Sequence, residues 1–272
     1  VSRGLGDVYK RQQIIVDGNV NESQNYYNAS SNKYAGIFLD KYGNAFVDYI
    51  KSNLRLYNEK VSLELQAKNK ITDFKKPVYF DRSIITNTQD LDKRNKNLFK
   101  IVVQDKKIIK KAGAGETVDI PENGYIIVMD KATASEKLAL FNVGDNLNFT
   151  ESYKFVFREG KNISDVLTGI SAGGEILRNG KPISTGMSIS PKSRNPRSAV
   201  GVNNEKNKLI LVAVDGRGQS IGATHDEMAS ILLEYGAYDA IHLDGGGSTT
   251  VALREEAVSY THLRAHETLS DL

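Results

Sequence analysis

Lys208 to Asp244 constrains this chain more than any other stretch. Lys208–Val214 (KLILVAV) is a nearly continuous apolar run, the pattern of a strand buried on both faces. It ends in a carboxylate and glycines, Asp215-Gly216-Arg217-Gly218. Thr224-His225-Asp226-Glu227 then has the Thr/Glu spacing of a capping box, which opens a helix. Met228, Ile231, Leu232 and Tyr235 follow at i, i+3, i+4 and i+7, the spacing of one apolar helix face. Gly236 supplies the left-handed residue that stops such a helix. Asp239–Leu243 reads as the next strand. Together these predict a strand–helix–strand unit with a parallel, right-handed crossover.

The second strand runs into Asp244-Gly245-Gly246-Gly247-Ser248-Thr249-Thr250. Consecutive glycines allow positive φ and let a ligand approach the main chain closely. Their N–H groups can form an anion-binding nest, and the hydroxyls add donors. A Gly-rich turn with an Asx cap is the plainer reading of the same residues. Asp215 and Asp244 both fall at the carboxyl ends of parallel strands, the edge at which open α/β sheets bind ligands. Adjacent strands would place their Cα atoms roughly 5 Å apart, and one intervening strand would make that about 10 Å. Either spacing lets two carboxylates act on one bond.

Several ordered segments carry a family resemblance. Asn195-Pro196-Arg197-Ser198-Ala199-Val200-Gly201, then LILVAVDGR, then GATHDEMASILLEYGAYDAIHLDGGGSTT, resemble the phosphodiester glycosidase family. The likeness is dense from about Gly169 to Val251. It is looser from about Leu98 to Lys161, where VDIPENGYIIVM and FNVGDNLNF look like the family's upstream half. The resemblance implies a hydrolase that cleaves the bond between an anomeric carbon and a phosphate oxygen in sugar-1-phosphodiesters, N-acetylglucosaminyl ones included. It also implies a bacterial cell-envelope or exopolysaccharide substrate and an extracellular or envelope location. Asp244 and Asp215 are then the candidate nucleophile, acid or base, with Glu227 second to them. Arg197, Arg217, Gly173, Gly174, Thr224, Gly245, Gly246, Gly247, Ser248 and Thr249 are the candidate substrate and phosphate contacts. A guanidinium suits that task, because its fork matches two phosphate oxygens.

Each of these has a plainer alternative. Arg197 alone reads as a surface charge, and Arg217 can pair with Asp215. Glu227 is also the capping glutamate of Thr224. Gly173-Gly174 interrupts a strand-like pattern, as a simple bulge does. His225 and His242 have no spaced partner that would define a metal site, so no metal and no cofactor are expected. A nucleotide-phosphate site is disfavoured, since no lysine follows the glycines and no G-x-G-x-x-G opens a helix. A non-catalytic envelope carbohydrate-binding or scaffolding module of the same fold is the alternative function; 13 tyrosines with no tryptophan could serve it.

Composition excludes other classes. Net charge is +3 from 36 basic and 33 acidic residues, too balanced to argue for nucleic acid. The absence of cysteine rules out disulfides and Cys-based metal sites. No stretch reaches the length of a membrane helix. Val1–Gln12 and Val258–Leu272 read as translated adapter sequence from a metagenomic assembly, leaving a natural fragment from about Gln13 to Ala257 that is open at both ends.

Upstream, Asp40-Lys41-Tyr42-Gly43-Asn44 is a hairpin-like turn, and Val61–Leu65, Leu98–Val103, Lys107–Ile109, Tyr125–Met129 and Leu147–Phe157 read as strands. Asn87–Asn97 reads as a loop with a short helix. Ala132–Leu140 reads as a helix with Ala134, Leu138 and Phe141 facing inward. Arg178-Asn179-Gly180-Lys181 is an Asn-Gly hairpin turn. Ile183–Arg194 reads as a polar loop over the site. The resulting expectation is an α+β chain with a mixed α/β sheet: tails at 1–12 and 258–272, an N-terminal α/β part at 13–97, and a single phosphodiester-glycosidase-like domain at 98–257 that ends in the strand–helix–strand unit.

Overall fold

The computed structural model describes residues 13–24, 34–138, 140–183, 191–216, 220–254 and 260–264. The first strands are β1 (Gln13–Val16), β2 (Asn19–Gln24), β3 (Gly36–Asp40), β4 (Ala45–Asp48), β5 (Ile50–Tyr57), β6 (Ser62–Glu64), β7 (Ala67–Lys68) and β8 (Val78–Phe80). Helix α1 (Gln89–Arg94), β9 (Leu98–Gln104), β10 (Lys107–Ala112), β11 (Gly124–Asp130), α2 (Lys131–Leu138) and β12 (Asn148–Phe155) follow. Then come β13 (Val166–Ser171), β14 (Glu175–Arg178), β15 (Lys181–Pro182), β16 (Arg197–Val202), β17 (Leu209–Val214), α3 (His225–Glu234), β18 (Asp239–Leu243), β19 (Thr250–Arg254) and β20 (Tyr260–Arg264). The class is α+β, with strand predominant. The expected tail 1–12 lies outside the described residues; Tyr260–Arg264, inside the other expected tail, pairs antiparallel with Thr250–Arg254.

Two compact units interleave along the sequence: residues 1–25 with 51–154, and residues 26–50 with 155–272. In the first unit the strands run β10-β9-β11-β8-β7-β2-β1, beside a smaller β12-β5-β6 sheet. β9 and β11 pair antiparallel, with Val102 opposite Ile126 and Ile101 opposite Ile127. Ile101, Val103 and Ile127 enter one core with Leu54, Leu56 and Phe141. Leu98, Val102 and Ile126 enter another with Phe80 and Leu91. Burial on both faces accounts for their continuous apolar runs. Ala134 of α2 faces the first of these cores, as expected; the Leu138 side chain lies outside the described residues.

The second unit holds β13-β3-β4 and a five-stranded sheet, β15-β14-β18-β16-β17. The β3–β4 turn is closed by Asp40, whose Oδ1 accepts the N–H groups of Tyr42 at 3.0 Å and Asn44 at 2.9 Å. Residues alternate across the five-stranded sheet. Ala199, Ile210 and Ala240 face α3, while Val200, Val202 and Ile241 face Ala45, Val47 and Tyr49.

The order of this sheet departs from the expected unit. β16 lies between β17 and β18 and pairs antiparallel with both. β17 and β18 therefore share no ladder; they run parallel to each other across β16, the arrangement with one intervening strand rather than adjacent strands. The reason is local: Asn203–Lys208 is a tight turn, with Asn203 Oδ1 accepting the N–H groups of Asn207 and Lys208. That hairpin commits β17 to β16 before α3 begins. A second correction concerns burial. β17 is an edge strand, and Leu211 is 71% exposed, so only its Ile210, Val212 and Val214 face is covered.

α3 itself forms as its sequence dictates. Thr224 Oγ1 accepts from Glu227 N–H and Glu227 accepts from Thr224 N–H, a complete capping box. At the other end Gly236 (φ 85°) donates to Leu233 O and Ala237 donates to Leu232 O, a Schellman closure. Met228, Ala229 and Leu232 are buried, Ile231 is half-buried, and Tyr235 is exposed. The buried stripe is thus one residue narrower at its end than the spacing implies, because Tyr235 is already the C-cap.

Candidate active site

One edge of the five-stranded sheet gathers the candidate residues. β16 starts there, while β17 and β18 end there: Arg197 is opposite Val214, and Ser198 is opposite Leu243. Asp215 and Asp244 are the next residues of their strands, and both are exposed. They flank the start of β16 on either side, two strand spacings apart, which is about 10 Å between Cα atoms.

Glycines let two loops crowd onto the chain that enters β16, the β17–α3 connection at both its ends and the turn after β18. A Cβ on Gly245 would lie 2.6 Å from Pro196 O and 3.0 Å from Arg197 Cα. A Cβ on Gly216 would lie 2.2 Å from Pro196 N, and one on Gly222 would lie 2.6 Å from the Asn195 carbonyl carbon. Asn195 and Ala223 exchange both main-chain hydrogen bonds, at 3.2 and 3.0 Å. Asn195-Pro196-Arg197 is therefore the hub on which both ends of the Asp215–Thr224 connection and the Asp244 loop converge. Beyond Gly245, residues Gly246–Ser248 form one 3-10 turn, which Gly246 opens at φ 61°.

Arg197 is 5% exposed. Its Nε donates to Ala223 O at 2.5 Å, and Nη2 donates to Ser193 O at 2.8 Å. Burial pushes its pKa below the ordinary arginine value. Ser198 faces the opposite side of the sheet; its Oγ shares a 2.5 Å hydrogen bond with Thr249 Oγ1, which ties the Gly-rich turn to β16.

Other expected residues have structural partners. The Glu227 carboxylate accepts the Thr224 N–H and pairs with Arg194. That N–H and then the Arg194 charge hold its pKa below the usual carboxylate range. Gly173 and Gly174 sit against β18: Gly173 N–H donates to His242 O at 3.0 Å, and Gly174 O accepts from His242 N–H at 2.9 Å. A Cβ on Gly173 would lie 2.8 Å from His242 O. Arg217 lies outside the described residues, as do residues 184–190 of the loop expected over the site.

The structure adds a buried pair that spacing did not reveal. His225 opens α3 and His242 lies in β18, and their Nδ1 and Nε2 atoms are 3.0 Å apart. His225 Nε2 lies 2.5 Å from Ile183 O. A carbonyl only accepts, so His225 carries a proton on Nε2; in its neutral form Nδ1 is then the acceptor and His242 Nε2–H the donor. Burial, then the neighbouring His225 and Arg197, push His242 down to about 3. The sequence signal was parity: His242 alternates with Ile241 and so faces α3 with Ala240. Among the described residues no group of three or more His, Cys, Asp or Glu is placed to hold a metal ion.

Comparison with known proteins bears on this geometry. The family model described as phosphodiester glycosidase matches residues 97–268, more than half of the chain. The chain belongs to the phosphodiester glycosidase family. A bovine N-acetylglucosamine-1-phosphodiester alpha-N-acetylglucosaminidase is 44% identical over 64 residues, which is 24% of this chain and 12% of that relative. Thus the match spans a small part of the relative's length. Among solved structures, a hypothetical protein from Synechocystis aligns with TM-score 0.72 at 20% identity, covering 88% of this chain and 44% of that one. A putative exported protein from Burkholderia pseudomallei K96243 aligns with TM-score 0.65 at 17% identity, covering 88% and 56%. Both share the fold of this phosphodiester glycosidase family member.

Proposed function

We propose that this chain hydrolyses the glycosidic bond of sugar-1-phosphodiesters, with α-N-acetylglucosaminyl phosphodiesters as the first substrates to test and bacterial envelope or exopolysaccharide glycans as their source. The protein then acts outside the cell or in the envelope. The observation that carries this reading is the placement of Asp215 and Asp244 on either side of the Pro196–Arg197 hub, beneath which the buried Arg197 is held.

Phosphate is already a fair leaving group, so the demand on the protein is to hold its charge and stabilise an oxocarbenium-like transition state. Arg197, with the main chain and hydroxyls of Gly245–Thr249, is assigned to the phosphate. Asp244 and Asp215 are assigned to the sugar side as nucleophile, acid or base. Glu227 takes a supporting role, because its carboxylate already caps α3 and pairs with Arg194.

The test is release of free sugar from a panel of sugar-1-phosphodiesters. Turnover that disappears in Asp244→Asn, with the variant still folded, supports the assignment. A folded and active Asp244→Asn protein removes it. Binding of the same compounds without product release would instead indicate a carbohydrate-binding module on the same fold.

A further inference from the structure

We infer that His225, through its ring contact with His242, is a positioning residue for Arg197. The inference rests on the proposed function only for what Arg197 binds.

The geometry runs through three segments. The His225 ring bonds His242 in β18 on one side and Ile183 O on the other. Its main-chain N–H donates to Pro191 O at 2.9 Å. Arg197 takes two carbonyl acceptors from the same neighbourhood: Ala223, two residues before His225, and Ser193, two residues after Pro191. The first residue of α3 is thus tied to the sheet, and the carbonyls that orient the guanidinium are tied to that residue. The ring contacts are to each other and to a main-chain carbonyl, which is the pattern of an orienting role.

Chemistry separates this from simple packing. Two buried imidazoles are costlier to place than an apolar pair of equal size, and their value lies in fixed direction. The Ile183 carbonyl selects one tautomer of His225, which in turn selects the Nε2–H tautomer of His242.

The experiment uses the uniformly 15N-labelled chain. The Arg197 Nε–H resonance, assigned by its loss in Arg197→Lys, is expected to exchange slowly with solvent in the wild type, since it is buried and hydrogen-bonded to Ala223 O. His225→Leu and His242→Asn are each expected to accelerate that exchange about tenfold, the size of one lost hydrogen bond. His225→Gln, whose amide can donate to Ile183 O, is expected to recover most of the protection. Exchange within twofold of wild type in a folded His225→Leu protein overturns the inference. Long-range imidazole 15N spectra of the wild type test the pair with no substitution: both rings should be neutral with Nε2–H, and an Nδ1–H tautomer of His225 overturns the geometry. On a phosphodiester substrate, His225→Leu is expected to raise KM about tenfold with a smaller change in kcat, the mark of lost binding orientation. Absence of wild-type turnover would count against the proposed function alone, since exchange and tautomer still decide this inference.

Discussion

Polar groups in the two units are arranged for opposite ends. In the first unit Lys100 and Asp92 are buried together: Nζ of Lys100 pairs with Asp92 and donates to Glu116 O, while Asp92 also accepts from Thr88 Oγ1 at 2.6 Å. That cluster closes on itself and joins α1 to β9. In the second unit Asp215 and Asp244 are exposed at strand ends, held in place by glycines packed on Asn195–Arg197. A buried carboxylate with its partners satisfied serves the fold, and an exposed one over a rigid main-chain hub remains open to a ligand. Residue type alone does not distinguish them; the surroundings do.

The sharpest way to break that contrast is Asp244→Asn. It should lower turnover of a sugar-1-phosphodiester by about a thousandfold or more, as loss of a catalytic carboxylate does, with the urea midpoint unchanged. Lys100→Met should do the reverse. It leaves Asp92 buried without its cation and should destabilise folding by about 3–5 kcal/mol, read by urea denaturation, with kcat of the folded protein retained. Gly245→Ala should show both effects, because its methyl meets Pro196 O at 2.6 Å. Overpacking of this kind costs about 1–3 kcal/mol, and displacement of the turn should also lower kcat/KM.

Smaller effects sharpen the comparison. His242 is held at about 3 in the folded chain, against an ordinary 6.5. The unfolded chain therefore takes up a proton below pH 6.5 that the folded chain refuses. Stability is full above that value and falls, by up to about 1.4 kcal/mol per pH unit, as pH drops toward 3. Urea midpoints at pH 7, 6, 5 and 4 should show this slope, and His242→Asn should flatten it. Thr224→Ala removes the cap of α3 and should cost about 1 kcal/mol in the same assay.

Some of this was legible before any coordinates. The Thr224–Glu227 box, the Gly236 stop and the Asp40–Asn44 turn each close within a few residues, so local chemistry suffices to place them. Asn179 (φ 52°) and Gly180 (φ 70°) likewise take the left-handed conformations that their hairpin requires. The strand ends at Asp215 and Asp244 were also legible, since glycines and a carboxylate follow each apolar run. Less legible was the Gly173-Gly174 pair, which resembles the Gly245–Gly247 run in composition yet is hydrogen-bonded to His242 along the β14–β18 junction. Glu227 carried two readings in the sequence, and only its contacts with Thr224 and Arg194 show the work it does in the fold.

By itself, then, the sequence determined where elements begin and end around the site, because caps, turns and apolar runs act over three to five residues. The Asn203–Lys208 turn pairs β17 with β16 locally, but only tertiary structure decided that β18 takes the other edge of β16 and that Asp215 and Asp244 therefore flank Arg197 at the wider of two possible spacings. It also decided that Leu211 faces outward on an edge strand, and that His225 meets His242, 17 residues away. Sheet order and layer coverage set these, and both depend on which distant strand pairs with a free ladder edge. No pattern within a single strand encodes that choice.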